Sequence, residues 1–325
     1  MSTYRFRLRF FVHAAGVIQD EQAAIAFRLP GGLESTFSCL DSQSISKGRD
    51  FVLSCGGFGN EEDAAKVGKR LKDALVLSGA KLRLGIDAGI DKYGSMMYLN
   101  PIDTMSNENS GQFIDTIDGL TIYSEDRPVD AAPMSSLKVF FPSSADFFTN
   151  VVLGFYDAYQ PLTEKEKLAL ELYGASHFEK SDRARFITLV LAAEALLEPK
   201  ERGRKAKEVV DSLIELTNKS ELTDQEKESI KGTLTWLYRE SISRSLKEMA
   251  SAFLGDKEYG GLTASRFILH CYDTRSKLVH AGQINEEKVN LGTLAAQLDG
   301  FLADLLLAKA EACRSGRAQR NPTYC

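Results

Sequence analysis

The stretch Tyr272-Asp-Thr-Arg275-Ser276-Lys-Leu-Val-His280-Ala-Gly282 gathers a fixed cation, a hydroxyl and an imidazole into a short segment. At about 100° per residue, a helix here places Phe267, Ile268, Cys271, Tyr272, Leu278 and Val279 within about 80° of Arg275. Arg275 is thus expected in the middle of an apolar stripe. A guanidinium cannot shed its charge, so its burial demands a carboxylate, backbone carbonyls or a phosphate beside it. Ser276 and His280 are four residues apart and share the adjoining edge of the helix. An imidazole changes charge near neutral pH and can move a proton. Together the three groups have the chemistry to hold and cleave a phosphodiester.

Spacing alone does not establish this. Arg7 lies six residues before His13, but Arg5-Phe-Arg-Leu-Arg-Phe-Phe-Val alternates as a strand does. Structural roles also compete for each residue. Arg275 could pair with a buried acid, and Glu194 is the best candidate because it interrupts the apolar run Phe-Ile-Thr-Leu-Val-Leu-Ala-Ala-Glu194-Ala-Leu-Leu. His280 could cap the helix end before Gly282. Ser276 could bond back to the carbonyl four residues earlier. Tyr272 falls on the apolar arc, where core packing competes with base stacking.

The pattern Tyr272-x-x-Arg275-Ser276-x-Leu-Val-His280-x-Gly282 resembles the signature of HEPN domains, particularly the ApeA-like subgroup. The run Arg185-Phe-Ile-Thr-Leu-Val-Leu-Ala-Ala-Glu194 resembles the helix that opens these domains. The resemblance spans residues 143–312 and leaves the N-terminal part unexplained. It departs from many nuclease members at Ser276, where they carry Asn, Asp or His. It implies a metal-independent endoribonuclease without cofactor, toxin-like or acting in phage defence. Arg275 would hold the phosphate oxygens and an imidazole would assist attack by the RNA 2′-hydroxyl, giving a 2′,3′-cyclic phosphate and a 5′-hydroxyl. It also implies a homodimer through the helical domain, since one motif supplies only one imidazole, with an antitoxin or regulatory protein as a further partner. Catalytic residues would be Arg275, His280 and Ser276, supported by Glu194 and Tyr272. The alternative is a non-catalytic HEPN protein that binds RNA or a nucleotide, or serves as a protein-interaction module.

Two basic clusters stand apart from that motif. Arg183 and Arg185 form one. The other, Lys200-Glu-Arg202-Gly-Arg204-Lys205-Ala-Lys207, sits at a loop-to-helix junction. Arg202, Arg204 and Lys205 could there contact an RNA backbone, against the alternative of a solvated helix face. Cys55-Gly-Gly-Phe-Gly-Asn60 lacks the Gly-Lys-Ser/Thr ending of a phosphate loop and reads as a turn. His13, His177 and His270 have no acid or thiol at ligand spacing and receive no role.

Composition narrows the classes further. The chain has 325 residues, 43% hydrophobic, enough for two cores. A net charge of -5 argues against a general coat for nucleic acid, so any such contact must be local. The five cysteines, Cys39, Cys55, Cys271, Cys313 and Cys325, form no Cys-x-x-Cys pair, which disfavours a zinc site or disulfide framework and points to the reducing cytoplasm. Arginines interrupt the N-terminus, so it does not read as a signal peptide, and no uninterrupted apolar run approaches a membrane span.

The elements that must position these residues change character near residue 143. An α+β domain is expected over 1–142, an all-α HEPN-like helical bundle over 143–313, and a disordered tail over 314–325. Strands are read at 4–12, 23–29, 34–38, 50–54, 81–86, 120–123 and 137–141, with Pro30-Gly-Gly32 as a hairpin loop. A helix is read at 61–78, with Asn60 as N-cap and Gly79 as its stop. Residues 85–119 read as loop-rich. Further helices are read at 145–159, 163–176, 181–198, 202–217, 223–254, 260–280 and 286–313, with capping boxes at Thr163 and Thr223.

Overall fold

The computed structural model describes residues 3–89, 113–114, 119–124, 129–130, 143–158, 161–198, 200–281 and 289–314. The chain divides into two compact units, Met1–Ser181 and Asp182–Cys325.

In the first unit the chain runs through β1 (Tyr4–Val12), β2 (Ile18–Gln19), β3 (Ala24–Arg28), β4 (Glu34–Cys39) and β5 (Asp50–Phe58) into α1 (Glu61–Leu82). It continues through β6 (Ile86–Asp87), β7 (Phe113–Ile114), β8 (Gly119–Ser124), β9 (Val129–Asp130) and β10 (Ser143–Ser144) to α2 (Ala145–Asp157) and α3 (Glu164–Ser176). The main sheet has the order β3-β4-β5-β1-β6, with β8 also paired to β1. All its pairings are antiparallel. Alternate side chains of a strand face opposite ways, and Phe6, Leu8, Phe10 and Val12 of β1 are all buried. On the other face Arg9 forks onto Asp50, at 3.0 Å from Nε and 2.6 Å from Nη2. The Pro30-Gly-Gly32 turn forms as expected, because Gly31 and Gly32 take φ of 91° and 84°, a region open to glycine.

Three readings in this unit are corrected. α1 does not stop at Gly79 but runs to Leu82, closing on Arg83 in the left-handed conformation (φ 53°). The expected strand at 81–86 therefore shrinks to Ile86–Asp87. Cys55-Gly-Gly-Phe is the end of β5 rather than a turn, while Asn60 does cap α1 by accepting from the Asp63 amide. The strand expected at 137–141 and most of the 85–119 segment lie outside the described residues.

Helices begin at Ala145, close to the expected change at 143, yet α2 and α3 belong to the first unit. The reason is packing. Phe148 of α2 meets Phe10 and Phe37, with ring centroids 6.3 Å and 5.5 Å away, and Val152 and Tyr156 join the same core. α3 approaches β6 through Gly174, where a Cβ would stand 2.6 Å from the Ile86 carbonyl oxygen.

Among its described residues the second unit is helical apart from one small hairpin and an isolated bridge between Glu201 and Arg239: α4 (Asp182–Ala195), α5 (Arg204–Lys219), α6 (Asp224–Thr235), α7 (Ile242–Leu254), the hairpin β11 (Glu258–Tyr259) and β12 (Leu262–Thr263), α8 (Ala264–Ala281) and α9 (Leu291–Arg314). The capping boxes at Thr163 and Thr223 both form. The single helix expected at 223–254 is two. A 3-10 turn at Trp236–Tyr238 and an extended Arg239 separate them, and Ser241 starts α7 by accepting from the Arg244 amide. The helix expected from 260 begins at Ala264, because Gly260 and Gly261 take positive φ in the hairpin turn. α9 is long and apolar enough by composition to cross a membrane, but 61% of its most apolar window is buried, and it packs on α4, α7 and α8. Leu298, Phe301, Leu302 and Leu305 are sealed there, as in the core helix of a bundle. The expected tail from 315 on lies outside the described residues.

Candidate functional site

α8 carries the candidate motif. The hairpin before it is clamped to α9, since the Tyr259 hydroxyl and the Lys257 ammonium both reach Asp304 Oδ2 at 2.7 Å. Tyr259, Phe267 and Phe301 pack ring to ring at 5.1 to 5.7 Å, which fixes the first turn of α8. Along the helix Phe267, Ile268, Cys271, Thr274 and Leu278 are buried. The arc is therefore centred further from Arg275 than the sequence suggested. Val279 is 49% exposed and Thr274, not Val279, completes the stripe. Arg275 sits at the edge of the apolar face rather than in its middle, with 22% of its side chain exposed.

The acid expected to face it does so. Arg275 Nε lies 3.7 Å from Glu194 Oε1, next to the C-terminal end of α4. The contact is an ion pair without a hydrogen bond: both atoms are sealed from solvent and neither has a hydrogen-bonding partner among the described residues. Burial pushes the Glu194 carboxyl above its ordinary 4.5, and the Arg275 charge opposes that rise. A guanidinium and carboxylate in full contact meet at about 2.7–2.9 Å, often through two parallel bonds. This pair is looser, and its guanidinium is only partly committed.

His280 is exposed on the last turn of α8, and Ser276 and Tyr272 are half-buried. Gly282, the motif's last residue, lies outside the described residues. Asp273 and Lys277 form a surface pair at 2.6 Å beside the motif. α8 thus brings Arg275, Ser276 and His280 together by chain position, and the packing of α4 adds Glu194.

A second ion pair joins α4 to α9. Arg185 Nη2 stands 3.9 Å from Asp299 Oδ1, which gives Arg185 an internal partner, while Arg183 is exposed. Arg202, Arg204 and Lys205 lie on and before the first turn of α5. Arg202 Nε donates to the Arg239 carbonyl at 2.9 Å, Arg204 pairs with Glu208 at 3.0 Å, and Lys205 is exposed.

Sequence reasoning missed one cluster in the first unit. His13 and His177 pack with ring centroids 5.2 Å apart and planes tilted by 42°, and Tyr173 meets His177 edge-on at 5.1 Å. His13 Nδ1 accepts from the Gly85 amide at 3.0 Å. Two histidines so far apart in the chain carry no local pattern that could have announced the contact. Among the described residues, no three His, Cys, Asp or Glu side chains are placed to hold a metal ion.

Compared with protein-family models, curated proteins and solved structures, the chain matches none.

Proposed function

We propose that this chain is a metal-independent endoribonuclease whose C-terminal bundle is of HEPN type. The observation that carries the reading is Arg275: a partly exposed guanidinium, loosely held by one carboxylate, with an exposed imidazole five residues on. A phosphate would meet the Nη edge of Arg275, whose planar fork suits two phosphate oxygens and the charge gathered in the transition state. His280 would take the proton from the 2′-hydroxyl as that oxygen attacks the adjacent phosphorus. The 5′-oxygen would leave with a proton from a second imidazole, so a homodimer with two motifs at one cleft is part of the proposal. Ser276, on the same helix edge, would bond the ring or a phosphate oxygen, and Tyr272 would pack behind the site. The setting proposed is cytoplasmic, in a toxin-like or defence role restrained by a regulatory protein.

A second reading has its own observation. The Glu194 pairing gives Arg275 a structural partner, as it would in a non-catalytic module that only binds RNA or a nucleotide. End-group analysis of RNA incubated with the purified chain in EDTA separates the two. The nuclease reading expects cyclic-phosphate and 5′-hydroxyl ends from RNA and an intact DNA strand of the same sequence, because DNA lacks the attacking hydroxyl. Intact RNA in the presence of demonstrable binding favours the module.

A further inference from the structure

The connection between α6 and α7 folds back on the segment before α5. The Arg202 amide donates to the Tyr238 carbonyl at 2.8 Å, and the Glu240 amide donates to the Lys200 carbonyl at 2.8 Å. Glu201 and Arg239 form an antiparallel bridge between them. Arg202 Nε holds the Arg239 carbonyl, and the Tyr238 hydroxyl bonds Asp211 of α5 at 2.5 Å. This crossing fixes the 3-10 turn Trp236–Tyr238 beside the start of α5. Trp236, the chain's one tryptophan, is 72% exposed on that turn. An indole buries a large apolar face when given the chance, so one held out to solvent on a pinned turn is a face kept available.

The charge around it selects the partner. Lys200–Lys207 contains five basic residues against one acidic, in a chain whose net charge is -5, and with Lys207 paired to Glu201 and Lys200 to Glu248 it is Arg202, Arg204 and Lys205 that the run offers to a partner. The Arg204 side chain is 91% exposed, and its pair with Glu208 is of the surface kind that a phosphate displaces easily. Lys205 is exposed on the first turn of α5. A stacking face beside a run of cations is the combination that tracks a single-stranded nucleic acid, whose bases present their faces and whose backbone supplies the charge. A duplex hides its base faces in the stack and could use only the cations.

We propose that Trp236, Arg202, Arg204, Lys205 and Arg239 form a docking patch for single-stranded RNA, with a base stacked on the indole and the flanking phosphates on the cations. The patch names the substrate class of the proposed nuclease and rests on that reading, but its test does not depend on cleavage.

Because the chain has one tryptophan, its fluorescence reports the patch directly. The full-length chain is titrated with a short 2′-O-methyl oligouridine, which has no free 2′-hydroxyl to attack. The expected result is saturable quenching, with affinity falling as salt rises by a slope of about -0.7 per phosphate contact, or about -2 for three contacts. Arg204→Glu with Lys205→Glu, both at exposed positions, should weaken binding tenfold or more and flatten that slope. Trp236→Leu, followed by anisotropy of a labelled oligomer, should weaken it about 5- to 150-fold, the range found for stacking one base. Absence of quenching overturns the patch, as do unchanged affinity in the charge-reversed variant, equal binding of duplex RNA, and equal competition by polyglutamate. RNA cleavage without quenching would sink the patch alone, and quenching without cleavage would sink the nuclease reading alone.

Discussion

Replacing Arg275 by Met strips Glu194 of its one charged neighbour among the described residues and leaves a carboxylate with 18% of its side chain exposed. At 3.7 Å, with an effective dielectric constant near 20, the Coulomb attraction is about 4 kcal/mol. The pair lacks a hydrogen bond and keeps a foot in solvent, so it belongs between surface pairs at about 0.2–1 kcal/mol and broken buried pairs at about 3–5 kcal/mol. A coupling of about 1–2 kcal/mol is expected near pH 7. The assay is a double-mutant cycle of wild type, Arg275→Met, Glu194→Gln and the double variant, by urea unfolding followed through helical ellipticity. Acid supplies the control. The folded-state value of Glu194 is raised above 4.5, so the folded chain takes up this proton before the unfolded chain does. Its contribution to stability therefore grows as pH falls through the raised value and levels off below 4.5. In Arg275→Met the opposing charge is gone, the rise is larger, and the deficit against wild type narrows by pH 4. A coupling under about 0.3 kcal/mol at pH 7, or one undiminished at pH 4, would refute the pairing as the determinant of Arg275's position.

Other consequences follow from the packing. Gly174→Ala should cost about 1–3 kcal/mol in urea unfolding, because the added Cβ would press to 2.6 Å on the Ile86 carbonyl oxygen, a backbone atom that cannot swing aside. Unchanged stability would show that α3 does not pack on β6 as described. Burial and the neighbouring Asp41 push the Cys39 thiol up to about 12, and burial pushes Cys271 higher still. Iodoacetamide near pH 8.5 should therefore label both far more slowly in the native chain than in urea. Mass mapping that finds either one among the fast native sites would contradict this.

Much of the fold was legible because local patterns matched global packing. The alternation in β1, the Pro30-Gly-Gly32 turn, the Asn60 cap and the two capping boxes each combine a residue type with a backbone need it meets. Glu194 was legible for a related reason: a lone acid in an apolar helix must find a cation. Failures came where tertiary contacts overrode local signals. Gly79 reads locally as a stop, yet its small size lets Leu84 and Ile86 pack close, and α1 runs through it. Nothing in residues 223–254 forbids one long helix. The break depends on Ser241, one serine among many, and on backbone bonds to residues 200–202. α2 and α3 read as part of the bundle because helical periodicity does not say which core a helix will complete. In α8 the stripe was rotated by the choice between Thr274 and Val279, since a threonine can be buried as readily as a valine is exposed.

In the proposed mechanism Arg275 and His280 together cleave RNA. The most direct measurement incubates RNA in EDTA with wild type, Arg275→Ala and His280→Ala, after each is shown to fold and to associate alike. His280 is exposed, so its substitution should move stability by less than about 0.5 kcal/mol, and a loss of activity there cannot be ascribed to unfolding. Cyclic-phosphate ends are expected from wild type and from neither variant. Cleavage that persists in both variants, or no cleavage by wild type, would contradict it.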